Sequence, residues 1–249
     1  MILRVAKYFG IGLLDVVCPR NCLVRDTPLD ESEFDFISDA GFSDLRIIAA
    51  RNACAKCGIF IPAREFAPED EICGECRDRE IDLQFGRSRS VVLLNDAARP
   101  LVYSLKYWKH PAVARDMARL AKKCPGFLEH LAGAVLVPVP ICRKRMRARG
   151  YNQSRHLADE LAKISAGARV EEFLERVRDT GTQTALDAES RRKNVEGAFA
   201  ISRHKRLDPF ARYVLVDDVF TTGSTLNECA RALRDAGALS VDAATFAHG

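Results

Sequence analysis

The chain has 249 residues, 47% of them apolar and 29% charged, with 38 Lys and Arg against 34 Asp and Glu for a formal charge of +4. That balance is too small to imply a nucleic-acid partner unless the cations cluster, and no stretch approaches the roughly 18 apolar residues of a membrane span. The length suits one large or two modest domains. A soluble protein is expected.

The opening MILRVAKYFGIGLLDVVCP carries an early positive charge and an apolar run, but Lys7, Gly10, Gly12 and Asp15 interrupt it. With no small-x-small cleavage site after it, a short amphipathic helix bearing Leu3, Phe9, Leu13 and Leu14 is the better reading than an export signal. A cytoplasmic location follows as an expectation. It makes the nine cysteines metal ligands or free thiols rather than disulfides. Six of them lie in the first third.

Cys54-x2-Cys57 and Cys73-x2-Cys76 are separated by fifteen residues, the spacing of a four-thiolate zinc ribbon. Gly58 and Gly74 suit the tight knuckles such pairs form. Four thiolates fill a tetrahedral site and leave no position for substrate, so the zinc would be structural. Cys18 and Cys22 precede this tetrad with no second pair behind them, and are weak metal candidates.

From about residue 88 the pattern changes. SVVLLN (Ser90–Asn95), AVLVPVP (Ala134–Pro140), YVLVDDV (Tyr213–Val219) and LSVDAATFA (Leu239–Ala247) are short apolar, β-branched runs. They alternate with helical patterns at Ala97–Lys106, Ala112–Lys123, Gln153–Ile164 and Ser224–Ala236, the last stopped by Gly237. Strands buried on both faces and alternating with helices predict an open, mostly parallel α/β sheet, with ligands beyond the carboxyl ends of the strands. The boundary is placed so that residues 1–85 form the N-terminal helix and zinc-ribbon region and residues 86–249 the α/β domain.

The strand Tyr213–Val216 delivers adjacent carboxylates, Asp217 and Asp218, to that ligand edge. Adjacent carboxylates repel, and ribose hydroxyls with a divalent cation are one arrangement that relieves them. Thr221, Thr222, Gly223, Ser224 and Thr225 follow, then a helix. Hydroxyls, a permissive glycine and a helix N-terminus suit a phosphate. A helix cap beside solvated aspartates is the alternative, but a cap needs one hydroxyl and does not require the carboxylate pair. The G-x-x-x-x-G-K-[ST] and G-x-G-x-x-G patterns of nucleotide sites do not occur.

VLVDDVFTTGST resembles the phosphoribosyl-pyrophosphate motif of type I phosphoribosyltransferases. The resemblance implies that Asp217 and Asp218 engage the ribose hydroxyls and the Mg²⁺-bearing side of the ligand, as catalytic residues, while Thr221 through Thr225 hold the 5′-phosphate. Ribbon, α/β domain and this motif together resemble the ComF family of competence-related proteins, with a double zinc ribbon and a phosphoribosyltransferase domain. LVYSLKYWKHPAVARDMARLA, VPVPICRKRMRARGYNQSRHLA and RVRDTGTQTALDAESRRKNVEGAFA resemble further blocks of that family. In double-ribbon members a second C-x-x-C completes the first ribbon. Here FISDAGFSDL places Ser38 and Gly41 where thiolates are expected, which implies an empty or degenerate first ribbon.

Arg143, Lys144, Arg145, Arg147 and Arg149 are five cations in seven residues just after a strand. They can face pyrophosphate, nucleic-acid phosphate or water alone. Tyr151 is a candidate for stacking on a base or sugar, Asn152 and Gln153 for hydrogen bonding it; a helix-starting turn is the alternative. Gln183, Arg191 and Asn194 sit in a polar stretch between a helix expected to end near Leu174 and Phe199, suited to a flap or to a plain surface loop. By resemblance Lys106, in LKY, is a candidate anion ligand. Two functions are carried forward: transfer of ribose 5-phosphate from phosphoribosyl pyrophosphate, with Mg²⁺, to an acceptor; and a non-catalytic module that binds single-stranded DNA or a competence helicase and uses the sugar-phosphate site as a sensor.

Overall fold

The structure is a computed structural model of the chain and describes residues 21–29, 32–62, 71–78, 83–108, 110–178 and 193–249. The N-terminal helix and Cys18, with Gln183 and Arg191, lie outside the described residues.

In chain order the elements are α1 (Asp39–Asp44), α2 (Gly74–Asp78), β1 (Ser88–Leu93), α3 (Arg99–Tyr107), α4 (Val113–Lys122), α5 (Phe127–Leu131) and β2 (Val135–Pro138). Then come α6 (Arg143–Arg149), α7 (Gln153–Ala162), β3 (Arg169–Val170), β4 (Leu174–Arg176), β5 (Phe199–Ile201), β6 (Arg212–Phe220), α8 (Ser224–Asp235) and β7 (Ser240–His248). Five strands form one sheet in the order β1-β7-β6-β2-β3, every pairing parallel. This is the open parallel α/β sheet expected from the alternating apolar runs. Residues 46–48 run antiparallel along β1, with Leu93 N–H donating to Arg46 O and Ile48 N–H to Val91 O.

The pleat of β6 divides the core. Val214 and Val216 pack with Leu157, Ala158 and Leu161 of α7 on one face. Tyr213 and Leu215 pack with Leu226, Cys229, Ala230 and Leu233 of α8 on the other. Alternation on a strand and a 3-4 spacing on each helix account for both layers.

One expectation fails. Residues up to Leu174 do not end a helix: Leu174–Arg176 is β4, paired antiparallel with β5. Leu174, Glu175 and Arg176 alternate between the core and the surface, a period of two that the nearby charged residues obscure.

The cysteine tetrad folds against the second layer. Residues 53–60 make a small hairpin in which Cys54 N–H donates to Ile59 O and Gly58 N–H to Cys54 O. Gly58 has φ +77°, and a Cβ there would lie 2.6 Å from Ser88 O, so the turn demands glycine. Gly74 instead opens α2 and is not among the positive-φ residues. Cys22 sits beside Ser38 and Gly41: Ser38 N–H donates to Cys22 Sγ at 3.3 Å, and a Cβ on Gly41 would lie 2.7 Å from that sulfur. A hydroxyl-bearing helix cap and a glycine thus surround this thiol.

Candidate sugar-phosphate and metal sites

The carboxyl ends of β6 and β2, with α3, α6 and the start of α8, enclose a cavity of about 580 Å³. It is lined by Lys106, Arg145, Arg149, Gln153, Asp217, Asp218 and all of Thr221 through Thr225. Residues read separately from the sequence are thus brought together. Tyr151, Asn152 and Asn194 are not among them. Tyr151 Oη donates to Leu105 O at 2.6 Å, and its ring meets His156 edge-on. Asn152 caps α7 by accepting from Ser154 N–H, and its Nδ2 donates to Val139 O at 3.1 Å. Asn194 accepts from Arg178 through its backbone carbonyl.

The basic run after β2 becomes α6. Helical spacing puts Arg145 and Arg149 on one face, toward the cavity, and leaves Arg143, Lys144 and Arg147 exposed. Arg149 hydrogen-bonds Gln153 Oε1, and its guanidinium lies 5.6 Å from the Tyr107 ring centroid. The far wall is α3, whose Arg99, Tyr103, Lys106 and Tyr107 recur every three or four residues. Tyr103 and Tyr107 are 49% and 59% exposed, with ring centroids 5.7 Å apart. Sequence reading missed Arg99, Tyr103, Tyr107 and the cavity-lining Arg176. The helical repeat R-P-L-V-Y-S-L-K-Y carried the signal for the first three; Arg176 needed the hairpin.

At the centre, Lys106 Nζ is 2.9 Å from Asp218 Oδ2. Asp217 Oδ1 accepts from Ser154 Oγ at 2.8 Å and from Asp218 N–H at 2.9 Å. Burial and the neighbouring Asp218 charge push the Asp217 carboxyl up to about 7, against the pull of Lys106 and Ser154. Burial alone would lower the Lys106 ammonium, but the charges of Asp218 and Asp217 outweigh it and raise it. Two carboxylates lining a polar cavity, one of them paired with an ammonium, fit a hard divalent cation such as Mg²⁺.

Beside this pair the chain turns through Gly223, φ +73°, into α8. A Cβ on Gly223 would lie 2.6 Å from Phe220 Cζ. Gly223, at the N-cap, has no side chain to offer α8; Thr222 Oγ1 accepts from Ser224 N–H at 3.4 Å and shares a 2.8 Å hydroxyl contact with Ser224. The N-terminus of α8, with the positive end of its dipole, thus lines the cavity beside hydroxyls, an arrangement that accepts a phosphate dianion.

The second site is the tetrad. The sulfurs of Cys54, Cys57, Cys73 and Cys76 all lie within 4.8 Å of one another, with Cys57 and Cys73 at 3.7 Å. Cys73 N–H donates to Cys54 Sγ. Hydrogen bonding from Cys57 pulls Cys54 down to about 4, whereas Cys57 is raised, chiefly by its bond to Cys54, and burial pushes Cys76 up to about 12. Four convergent thiols sharing protons form a cluster that can hold a metal ion.

Residues 105–249 match the family model described as the phosphoribosyl transferase domain. The chain is 29% identical to competence protein F of Haemophilus influenzae over 74% of this chain and 79% of that protein. It is 33% identical to DNA utilization protein YhgH of Salmonella typhimurium over 76% and 80%. Among solved structures it resembles a hypoxanthine phosphoribosyltransferase of Staphylococcus aureus, at 15% identity, a TM-score of 0.32 and coverage of 55% and 62%. No helix among the described residues is long and apolar enough to cross a membrane.

Proposed function

Since the chain belongs to the ComF family and carries its phosphoribosyl transferase domain, we propose that the cavity binds phosphoribosyl pyrophosphate with Mg²⁺ and transfers ribose 5-phosphate to an acceptor. The observation that carries this reading is the carboxylate pair of Asp217 and Asp218 placed directly before the hydroxyl-lined N-terminus of α8, both at the same cavity. In this reading Thr221 through Thr225 hold the 5′-phosphate and the aspartates hold the ribose hydroxyls and the metal. Lys106, Arg145 and Arg149 face the pyrophosphate. Residues 86–249 carry the ligand, and the zinc-bound tetrad in residues 1–85 braces it.

Bound Mg²⁺ would supply charge neutralisation for the leaving pyrophosphate. The bond from C1 of the ribose to the pyrophosphate oxygen breaks, its electron pair leaving with the oxygen. The acceptor's lone pair forms the new bond to C1, and the acceptor then loses a proton. Positive charge gathers on the sugar ring in between, where the Asp217 and Asp218 carboxylates stabilise it. Arg145 and Arg149 receive the departing anion. Tyr103 and Tyr107 offer a planar acceptor a face to stack on.

Isothermal titration with phosphoribosyl pyrophosphate and Mg²⁺ tests binding, with Asp217→Asn/Asp218→Asn as the comparison. Binding by the wild type and loss in the variant is the expected result; no heat with the wild type overturns it. Pyrophosphate release that depends on an added base or amine tests transfer.

A second reading rests on the exposed surface of α6 and on Trp108, 54% exposed at the end of α3. Exposed cations and an exposed aromatic ring suit single-stranded DNA, or a helicase partner, with the sugar-phosphate site as a sensor. Salt-sensitive retention of single-stranded DNA, lost on neutralising the exposed Arg143, Lys144 and Arg147, would support it. It corresponds to the DNA-related names that the relatives carry.

A further inference from the structure

The Lys106–Asp218 pair occupies the place where the Proposed function puts a cation. The Asp218 side chain is almost wholly enclosed, at 4% exposure, while the lysine side chain stays 24% exposed along the cavity wall. A partly buried ion pair of this kind adds little net stability, because desolvating both charges offsets their attraction. Its position on the ligand edge therefore calls for another account.

We propose that Lys106 is a resident counter-cation which yields Asp218 to the divalent ion and passes to the pyrophosphate as the ligand enters. This rests on the reading of Asp217 and Asp218 as the sugar- and metal-facing pair. Lys106 projects from the last turn of α3 on a four-carbon stem, and Arg145 and Arg149 line the same cavity from α6. Without ligand, Asp218 has the ammonium as its direct ion-pair partner, and Asp217 lies within reach of the same charge. A divalent cation arriving beside them meets a like charge at contact range, and the two repel strongly in so enclosed a space. Once displaced, the ammonium finds its new counter-charge in the pyrophosphate, the most negative part of the incoming ligand. A lysine suits this exchange: its compact charge swings on a flexible stem, whereas an arginine fork holds a fixed geometry. The metal is thereby disfavoured alone and favoured together with the anion, which lets the pair load as one unit.

Two affinities should move in opposite directions. With Mg²⁺ as the only titrant, Lys106→Gln should bind about tenfold more tightly than the wild type, since the competing charge is gone. With inorganic pyrophosphate in saturating Mg²⁺, the same variant should bind about tenfold more weakly. Lys106→Arg, which keeps the charge, should hold Mg²⁺ affinity near the wild-type value. Unchanged or weaker Mg²⁺ binding in Lys106→Gln overturns the exchange and leaves Lys106 a simple anion ligand. A wild-type structure with Mg²⁺ and pyrophosphate provides a check independent of variants: Lys106 Nζ should lie beyond about 3.5 Å from Asp218, and a retained contact overturns the proposal. Failure of the wild type to bind phosphoribosyl pyrophosphate sinks the function above instead, and the Mg²⁺ titrations of the two proteins distinguish that case.

Discussion

Ser154 Oγ reaches across 63 residues of sequence to donate a 2.8 Å hydrogen bond to Asp217 Oδ1. Ser154 is fully buried, and Asn152 fixes the start of its helix by accepting its N–H. Within the Arg-Gly-Tyr-Asn-Gln-Ser block, Arg149 and Gln153 line the cavity, whereas Asn152 and Ser154 act on it through orientation. Ser154→Ala should cost about 1 kcal/mol of stability and weaken phosphoribosyl pyrophosphate binding about fivefold. Thermal melts and titration calorimetry read the two effects, and an unchanged affinity would reduce Ser154 to a packing role.

The raised Asp217 carboxyl makes a pH prediction of definite sign. Between about 4 and about 7 the folded chain holds a proton that the unfolded chain has released. This group's contribution to stability is therefore present below about pH 4 and lost as pH rises through 7. Asp217→Asn should flatten that part of the stability profile and, near pH 8, stabilise the ligand-free protein by about 1–3 kcal/mol. Mg²⁺-dependent binding in the wild type should strengthen from pH 6 to pH 8, since the metal needs the ionised form. Denaturant melts and titrations across that range measure both.

Gly223→Ala tests the phosphate turn. The new Cβ meets the Phe220 ring and must adopt a φ that L side chains rarely accept. A loss of roughly 1–3 kcal/mol in stability is expected, with at least about tenfold weaker binding of ribose 5-phosphate. Near-wild-type affinity in a folded variant would show that the phosphate lies elsewhere.

Metal analysis of protein purified without chelator should find about one zinc per chain, and Cys57→Ser should reduce it. Stripping the metal should lower the melting temperature by roughly 5–15 °C. Full thermal stability after chelation would count against a structural zinc.

The four longer strands of the sheet and the four helices of nine or more residues between them were legible because their apolar patterns run without interruption, whereas the shorter helices Phe127–Leu131 and Arg143–Arg149 were not. Tyr213 through Val216, apolar on both faces, marks the central strand, and Gly223 before a 3-4 apolar pattern marks the helix it feeds. The site residues on these elements were legible for the same reason. Elements of two or three residues, such as Arg169–Val170 and Leu174–Arg176, hold too few positions for a period to emerge. Roles that depend on orientation were hidden as well. Asn152 and Ser154 are near neighbours of similar polarity in the sequence, yet one is spent on the backbone of Val139 and the other on Asp217.

The short antiparallel run of residues 46–48 along β1 has a consequence for how the protein coexists with other copies of itself. A parallel sheet left open at its edge offers a row of unpaired N–H and C=O groups on which another chain can template. At one edge that row is partly taken up by the chain's own N-terminal region, and at the other it is only two residues long, Arg169–Val170. Both margins of the sheet are thus blunted against intermolecular strand pairing, which favours solubility at the concentrations where a ligand cavity has to stay open and unobstructed.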